Sequence, residues 1–153
     1  ENRDEAKRNL KSALDTGKAA EAFGRMVTGL GGPSDFMERP MEYLPVAELQ
    51  AEVATETGGW VSRIDTRELG VAVLELGGGR RRAEDGIDYS VGISGVVELG
   101  QHLEKGDALC RVHAKTEDDL ARARKRISDA ISLSTDQAAG QPVVYEKVGA
   151  DDV

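Results

Sequence analysis

The residues best suited to chemistry are Gly77-Gly78-Gly79 and the arginines that follow directly, Arg80-Arg81-Arg82. Glycine allows positive φ angles and close approach by another backbone, while arginine binds anions and carboxylates through paired hydrogen bonds. The stretch could therefore hold an anion or a carboxylate. The same residues also fit a glycine helix C-cap followed by solvated charge, which is common.

The stretch is not a known nucleotide-binding motif. A Walker A loop needs Gly-Lys-Ser/Thr after a strand, and the dinucleotide fingerprint follows a strand and opens a helix. Here Gly77-Gly78-Gly79 is expected to close a helix. His102 and His113 have no Cys or His at zinc-site spacing, and His113 is expected to be a packed or capping residue rather than a base. Residue types alone thus indicate no catalytic residue, no cofactor site and no metal site.

Composition narrows the class of protein. The net charge is −8 and aromatic residues make up 4% of the chain, whereas nucleic-acid binding depends on cationic surface and stacking rings. No apolar run approaches the roughly 20 residues that span a bilayer. Cys110 lies in an alternating apolar segment and is expected to be a small buried side chain. We expect no nucleic-acid partner, no membrane and a cytoplasmic location.

A helix should lead into the glycines. Asp65 and Glu68 have the spacing of a capping box, in which Glu68 also reaches back to the cap, so the helix begins at about Thr66. A second helix is predicted between Lys115 and Leu133, with Thr116 as N-cap. Both segments carry an apolar stripe at helical spacing, and the basic run of the second is expected to be solvated. The stripes are Leu69, Ala72, Val73 and Leu76, then Leu120, Ala123, Ile127, Ala130 and Ile131; the basic run is Arg122, Arg124, Lys125 and Arg126.

The first part of the chain differs from the rest. Residues 3 to 32 predict two short helices joined at Gly17 and ended by Gly31-Gly32, with apolar faces that need a partner. Three of the four prolines lie in residues 33–48, which predicts a linker.

From Leu49 onward, short alternating segments predict strands of a small antiparallel sheet or flattened barrel. Residues 50–57 and 60–64 flank Gly58-Gly59 and predict a hairpin, because a Gly-Gly pair suits the turns that match strand twist. Further strands are predicted at 87–91, 95–99, 108–113 and 143–145, and a loop at 134–141.

The segment Gly95–Ala114 looks like half of a biotinyl or lipoyl carrier domain. Those carriers present a modified lysine at the tip of the hairpin made with the preceding half, and this chain has no lysine between Lys18 and Lys105. The similarity is therefore better explained by shared barrel-sandwich architecture.

A more specific resemblance rests on motifs that occur in a fixed order over almost the whole chain. They are Asp15-Thr16-Gly17-Lys18-Ala19-Ala20-Glu21, Phe23-Gly24-Arg25-Met26, Asp65-Thr66-Arg67, Gly77-Gly78-Gly79-Arg80, Ile87-Asp88-Tyr89-Ser90-Val91-Gly92 and Val112-His113-Ala114. In this order they resemble the last third of the thymidine phosphorylase and pyrimidine nucleoside phosphorylase family.

The resemblance implies an enzyme, a pentosyltransferase, in which phosphate attacks C1′ of a 2′-deoxyribonucleoside and releases the base. It implies a homodimer of two-domain subunits that close over a cleft, with thymidine and phosphate as substrates and no cofactor. The family's phosphate-binding and base-binding residues belong to the earlier two thirds. The resemblance therefore leaves thymidine and uridine both open, and we expect this chain alone to be inactive.

These observations predict an α+β protein. Residues 1–32 would be a helical remnant of the large phosphate-binding domain, 33–48 a linker, and 49–153 the C-terminal α/β-hammerhead domain. Because two domains must close, Gly77, Gly78, Gly79 and Arg80 are predicted to form a domain-closure loop against the large domain of the same enzyme. The alternative is a noncatalytic carrier-like or interaction domain with a barrel-sandwich fold.

Overall fold

A computed structural model describes residues 2–137 and 149 of the chain. The chain divides into two compact units, Glu1–Pro45 and Val46–Val153. The division falls inside residues 33–48, the segment predicted to be a linker. The strand predicted at 143–145 and the later part of the loop predicted at 134–141 lie outside the described residues.

The first unit contains three helices: α1 (Arg3–Asp15), α2 (Lys18–Gly29) and α3 (Pro40–Tyr43). The predicted join at Gly17 is confirmed, and this residue has the left-handed φ of 79° that glycine adopts without strain. After α2 the amide of Gly32 donates to the Val27 carbonyl and that of Gly31 to the Thr28 carbonyl. This pair of bonds is the Schellman arrangement, so the predicted glycine stop is confirmed.

The described part of the second unit contains two three-stranded antiparallel sheets, with strand orders β1-β5-β3 and β4-β2-β6. Two longer helices, α4 and α5, accompany them. The structure confirms the α+β class. The elements are β1 (Leu49–Ala54), β2 (Gly59–Ile64), α4 (Thr66–Val73), a π-helical turn (Leu74–Gly78), β3 (Gly92–Ser94), β4 (His102–Leu103), β5 (Ala108–Ala114), α5 (Glu117–Ala130) and β6 (Ile131–Ser134).

The predicted hairpin is wrong, although both of its strands exist. β1 pairs with β5, whereas β2 pairs with β4 and β6 in the other sheet. Thr55, just after β1, exchanges backbone hydrogen bonds with Asp107 and Gly106 instead of turning back. Gly59 lies where its backbone closely approaches that of Ser134, since a Cβ on Gly59 would be 2.6 Å from the Ser134 carbonyl oxygen. The glycine pair therefore lets two backbones meet between strands and does not make a hairpin turn.

The other strand predictions had mixed outcomes. The strand at 108–113 is confirmed as β5, but 87–91 and 95–99 form no strand; the nearest one is β3 at Gly92–Ser94. Val97 still donates its amide to the Leu109 carbonyl and is buried. Alternating apolar residues in these loops therefore reflect side chains that reach the core from irregular backbone.

Both helix starts are confirmed by their caps. The Asp65 carboxylate accepts from the Glu68 amide at 3.2 Å, and the Thr116 hydroxyl accepts from the Asp119 amide at 3.1 Å. The C-terminal end of the second prediction is wrong, because α5 ends at Ala130 and Ile131–Ser134 pairs with β2 as β6. Ile131 is buried in the strand as it would have been in a helix, so its burial pattern could not separate the two.

The core of the second unit lies between the sheets and the apolar faces of α4 and α5. Its largest fully buried side chains are Ile127, Val61, Val112 and Cys110. Cys110 is therefore the small buried residue predicted, and burial raises the pKa of its thiol to about 11. Within the described part of the chain, no helix is both long and apolar enough to cross a membrane.

Candidate functional site

The glycine-arginine loop, residues 77–88, leaves the end of α4 through the π-helical turn. Gly77 has a φ of 99°, a conformation that strains any residue with a Cβ. Its carbonyl accepts from the Asp88 amide at 2.9 Å, so the loop begins and ends at the same place.

The next two glycines pack closely on the helical residues that precede them, and the restriction is tighter at Gly78. A Cβ on Gly78 would lie 2.9 Å from Val73 Cγ1 and 3.2 Å from the Val73 carbonyl oxygen. A Cβ on Gly79 would lie 2.9 Å from Leu74 Cδ1. The predicted helix stop is therefore confirmed, and the close approach that these glycines allow is made within the second unit.

The tip of the loop, residues 80–86, is held by internal bonds. The Asp85 carboxylate accepts from the amides of Arg81 and Arg82 at 3.0 and 2.9 Å. Arg80 is exposed, and among residues 2–137 and 149 no hydrogen bond or ion pair involves its side chain. The tip thus presents arginine side chains on a backbone ordered by Asp85.

Asp88 closes the loop. Its Oδ1 accepts from the amide and hydroxyl of Ser90 at 2.9 and 2.6 Å, and its Oδ2, which is shielded from solvent, lies 2.5 Å from Lys115 Nζ. The Lys115 ammonium and the Ser90 hydrogen bonds lower the pKa of Asp88 to about 2. Lys115 in turn has its pKa raised by the Asp88 carboxylate. The next residue, Tyr89, is 77% exposed.

Arg126 binds the element that leads into the loop. Its Nε and Nη2 lie 3.1 and 2.9 Å from the two carboxylate oxygens of Glu75, in the π-helical turn, and its Nη1 contacts Glu68. Two sequence predictions are thereby corrected. Glu68 does not reach back to the cap of α4, because its carboxylate binds Arg126. Arg126 is not a solvated residue of the basic run, because its guanidinium joins α5 to both glutamates.

The groove around this bridge has a volume of about 520 Å³ and is lined mostly by charged side chains. Besides Arg126 with its two glutamates, it includes Lys125 and Asp129, whose charged atoms lie 2.7 Å apart. Each of these charged side chains has an oppositely charged partner. Among the described residues, the groove therefore offers no unpaired catalytic group of the kind that reacts with a substrate.

Both histidines have structural partners. His113 Nε2 lies 2.8 Å from the Ser94 hydroxyl, and His102 packs edge-on against Trp60 at a ring distance of 4.8 Å. In the described residues, no group of three or more His, Cys, Asp or Glu side chains is placed to hold a metal ion. His113 is thus a packed residue, as its place in the strand predicted.

Lys105 is not at the tip of a hairpin like that of a carrier domain. It lies in the turn between β4 and β5, which belong to different sheets. The turn is closed by the Asp107 carboxylate and by Gly106, whose φ is 98°.

Sequence reasoning found the loop but missed its anchors, Asp88, Lys115 and Arg126. Asp88 lies in one of the motifs already quoted, which was a usable signal. No local pattern links Lys115 or Arg126 to the loop, because their partners lie far away along the chain.

The model of one protein family, the pyrimidine nucleoside phosphorylase C-terminal domain, matches residues 60–134. The match runs from β2 to β6 and includes the whole glycine-arginine loop with Asp88, Lys115 and Arg126.

Proposed function

We propose, from the premise that residues 60–134 are a pyrimidine nucleoside phosphorylase C-terminal domain, that the chain is part of an enzyme that performs phosphorolysis of thymidine. In this reaction phosphate attacks C1′ of the sugar and thymine leaves, giving 2-deoxyribose 1-phosphate; the reverse reaction rebuilds the nucleoside. Phosphate is a co-substrate, and the displacement changes no oxidation state that would call for a redox cofactor.

A C-terminal domain of a phosphorylase implies a larger domain of the same enzyme as its partner. We assign the phosphate-binding and base-binding groups to that domain. By the resemblance, the enzyme is a homodimer with two-domain subunits, and the expected location, which does not come from the resemblance, is the cytoplasm.

The glycine-arginine loop is our candidate for the contact that stabilises the closed enzyme. Water would compete with phosphate at C1′, so the cleft must close before bond breaking. Arg80 supports this role because it is exposed and has no partner within the described residues. On closure its guanidinium would bond a carbonyl or carboxylate of the large domain. It would take no part in bond breaking.

The first experiment asks whether the chain is active alone. We expect no thymine release from thymidine and phosphate, because transfer requires phosphate held in line with C1′ and its charge compensated. The assay needs material free of host phosphorylase and a blank without protein. Release above the blank would refute the assignment of the reacting groups to the large domain.

The second experiment tests the loop in the two-domain enzyme. Arg80→Ala should lower kcat and change KM, reducing kcat/KM by about ten- to a hundredfold, the value of one charge-assisted hydrogen bond. Thermal stability should hardly change, because an exposed loop arginine contributes little to the fold. Arg111→Ala is the matched control, since Arg111 is an exposed arginine of β5 that pairs with Glu52 at the surface.

Normal kinetics in the Arg80→Ala enzyme would refute the closing role. An unfolded variant would refute it as well, since the loop would then be a structural element.

The carrier-like alternative predicts a different gene sequence upstream of this chain. An upstream reading frame with phosphate-binding and base-binding signatures would favour the enzyme, and its absence would favour an interaction domain. No described contact favours a swinging-arm carrier, because Lys105 lies between strands that do not pair.

A further inference from the structure

The glycine-arginine loop is fixed at both ends by cations that come from one part of the chain. Arg126 in α5 holds Glu75 just before the loop, through two hydrogen bonds of 2.9 and 3.1 Å. Lys115, which precedes α5, holds Asp88 at the other end, 2.5 Å away. Arg126 lies in α5 and Lys115 just before it, so a displacement of α5 would move the cations at both ends of the loop.

The two attachments differ in what else supports them. The incoming end is also held by its backbone, since the π-helical turn continues α4 and buries Leu76 in the core. The outgoing end is irregular: residues 87–91 are in neither helix nor strand. Asp88 orders this end through three kinds of contact: its amide donates a hydrogen bond to the Gly77 carbonyl, its carboxylate accepts two hydrogen bonds from Ser90, and it pairs with Lys115.

The chemistry of the outgoing attachment favours a fixed geometry. Only about a fifth of the Asp88 side chain is exposed, although the Lys115 side chain is more than half exposed. A carboxylate this shielded needs its charge compensated, and Lys115 is the described cation that does so. Because Oδ1 accepts two hydrogen bonds from Ser90, the carboxylate cannot rotate with a moving loop tip unless these bonds break.

We infer that Asp88 and Lys115 are positioning residues that hold the outgoing end of the glycine-arginine loop, so that Arg80 is presented in one place before the domains close. The inference rests on the proposed function, because an ordered loop is an advantage only if Arg80 makes the contact that closes the domains. A loop already ordered loses less conformational entropy when it binds its partner. Neither residue touches substrate.

The test uses three variants: Asp88→Asn, Lys115→Met and Lys115→Arg. Asparagine keeps an oxygen that can accept from Ser90 and removes only the charge, while arginine keeps the charge. Lys125→Met is the matched control, because Lys125 forms an exposed ion pair with Asp129 on α5 and makes no described hydrogen bond or ion pair with residues 77–88.

Two readouts separate the inference from the proposed function. The first is hydrogen exchange in the 153-residue chain, at the amides of Arg81, Arg82, Asp88 and Ser90, which are hydrogen-bonded in the loop. Asp88→Asn and Lys115→Met should speed their exchange about two- to fivefold, as expected for loss of one partly exposed ion pair. Lys115→Arg and Lys125→Met should leave it unchanged.

The second readout is kinetics of the two-domain enzyme. Asp88→Asn and Lys115→Met should lower kcat by a similar two- to fivefold factor while thermal stability stays near that of the wild type, and Lys115→Arg should restore kcat. Unchanged loop exchange in both charge-removing variants would overturn the inference, whatever the kinetics. Faster exchange with normal kcat would instead uphold the positioning of the loop and overturn its closing role.

Discussion

Helices α2 and α5 have similar sequence patterns but opposite surroundings. Both carry apolar residues at helical spacing, yet in α5 Leu120, Ala123 and Ile127 are buried, whereas in α2 Phe23 and Met26 are 45% and 51% exposed. None of the described residues up to Pro45 is buried. An apolar stripe therefore predicts which face of a helix needs cover, but only a partner surface supplies that cover.

The largest expected difference between the helices is in stability. Ile127→Ala should destabilise the second unit by about 2–5 kcal/mol, because it leaves a cavity at a fully buried site. Met26→Ala should change stability by less than about 0.5 kcal/mol, since Met26 is half exposed. Urea unfolding of the Ile127 variant is followed by fluorescence of Trp60 in β2, the chain's one tryptophan, and that of the Met26 variant by circular dichroism, because Trp60 lies in the second unit. Equal losses in the two variants would mean that the stripe of α2 is covered in solution.

Hydrogen exchange compares the two units directly. We expect amides of α1 and α2 to exchange at least about a hundredfold faster than those of β5 and α5, because short helices without buried contacts open locally. The sample must be shown to be monomeric, since self-association would cover Leu10, Phe23 and Met26. Equal protection of the units in a monomer would contradict the view that the first unit lacks its native partner.

Alanine substitutions at one glycine in each unit should also have opposite effects on stability. Gly78→Ala should cost about 1–3 kcal/mol, because the new Cβ meets Val73 at 2.9 Å. Gly29→Ala, at the end of α2, should be neutral or stabilise by up to about 1 kcal/mol, since no atom lies within 4 Å of the added Cβ. Unfolding of the first variant is followed by Trp60 fluorescence and that of the second by circular dichroism. A neutral Gly78→Ala would show that the root of the loop has room to relax.

The smallest expected effect is a response to acid. The pKa of Asp88 is lowered to about 2, below its unfolded value of about 3.9, so its contribution to stability is complete above pH 4 and disappears as the pH falls toward 2. Asp88→Asn should therefore be less stable than the wild type at pH 6, by no more than about fivefold in the unfolding equilibrium constant, and the difference should shrink toward pH 2. Urea unfolding at several pH values, followed by Trp60, measures it.

Asp35 is the counterpart in the first unit. Its pKa is lowered by a hydrogen bond from Tyr43 and by Arg39. Asp35→Asn should change the acid response of the helical signal and leave the Trp60 transition unaltered. A shift of the Trp60 transition in that variant would show that the two units unfold together.

Local sequence determined several features of this protein. The caps at Asp65 and Thr116, the join at Gly17 and the glycine stop after α4 were predictable because each depends on a few neighbouring residues. The glycine-arginine loop was found for the same reason. The resemblance to the phosphorylase family was also carried by short motifs, and the family model matches residues 60–134, which contain four of the six.

Tertiary structure decided which strands pair and which charges meet. Gly58-Gly59 fits a hairpin turn, yet β1 and β2 join different sheets because Thr55 bonds the 106–107 turn and Gly59 packs against the Ser134 backbone. Ile131 suits a helix or a strand, and pairing with β2 selected the strand. Arg126 and Lys115 are ordinary basic residues in the sequence, and they hold the loop only because folding brings Glu75 and Asp88 to them. Caps and turns depend on neighbours along the chain, whereas sheet partners and ion pairs depend on neighbours in space.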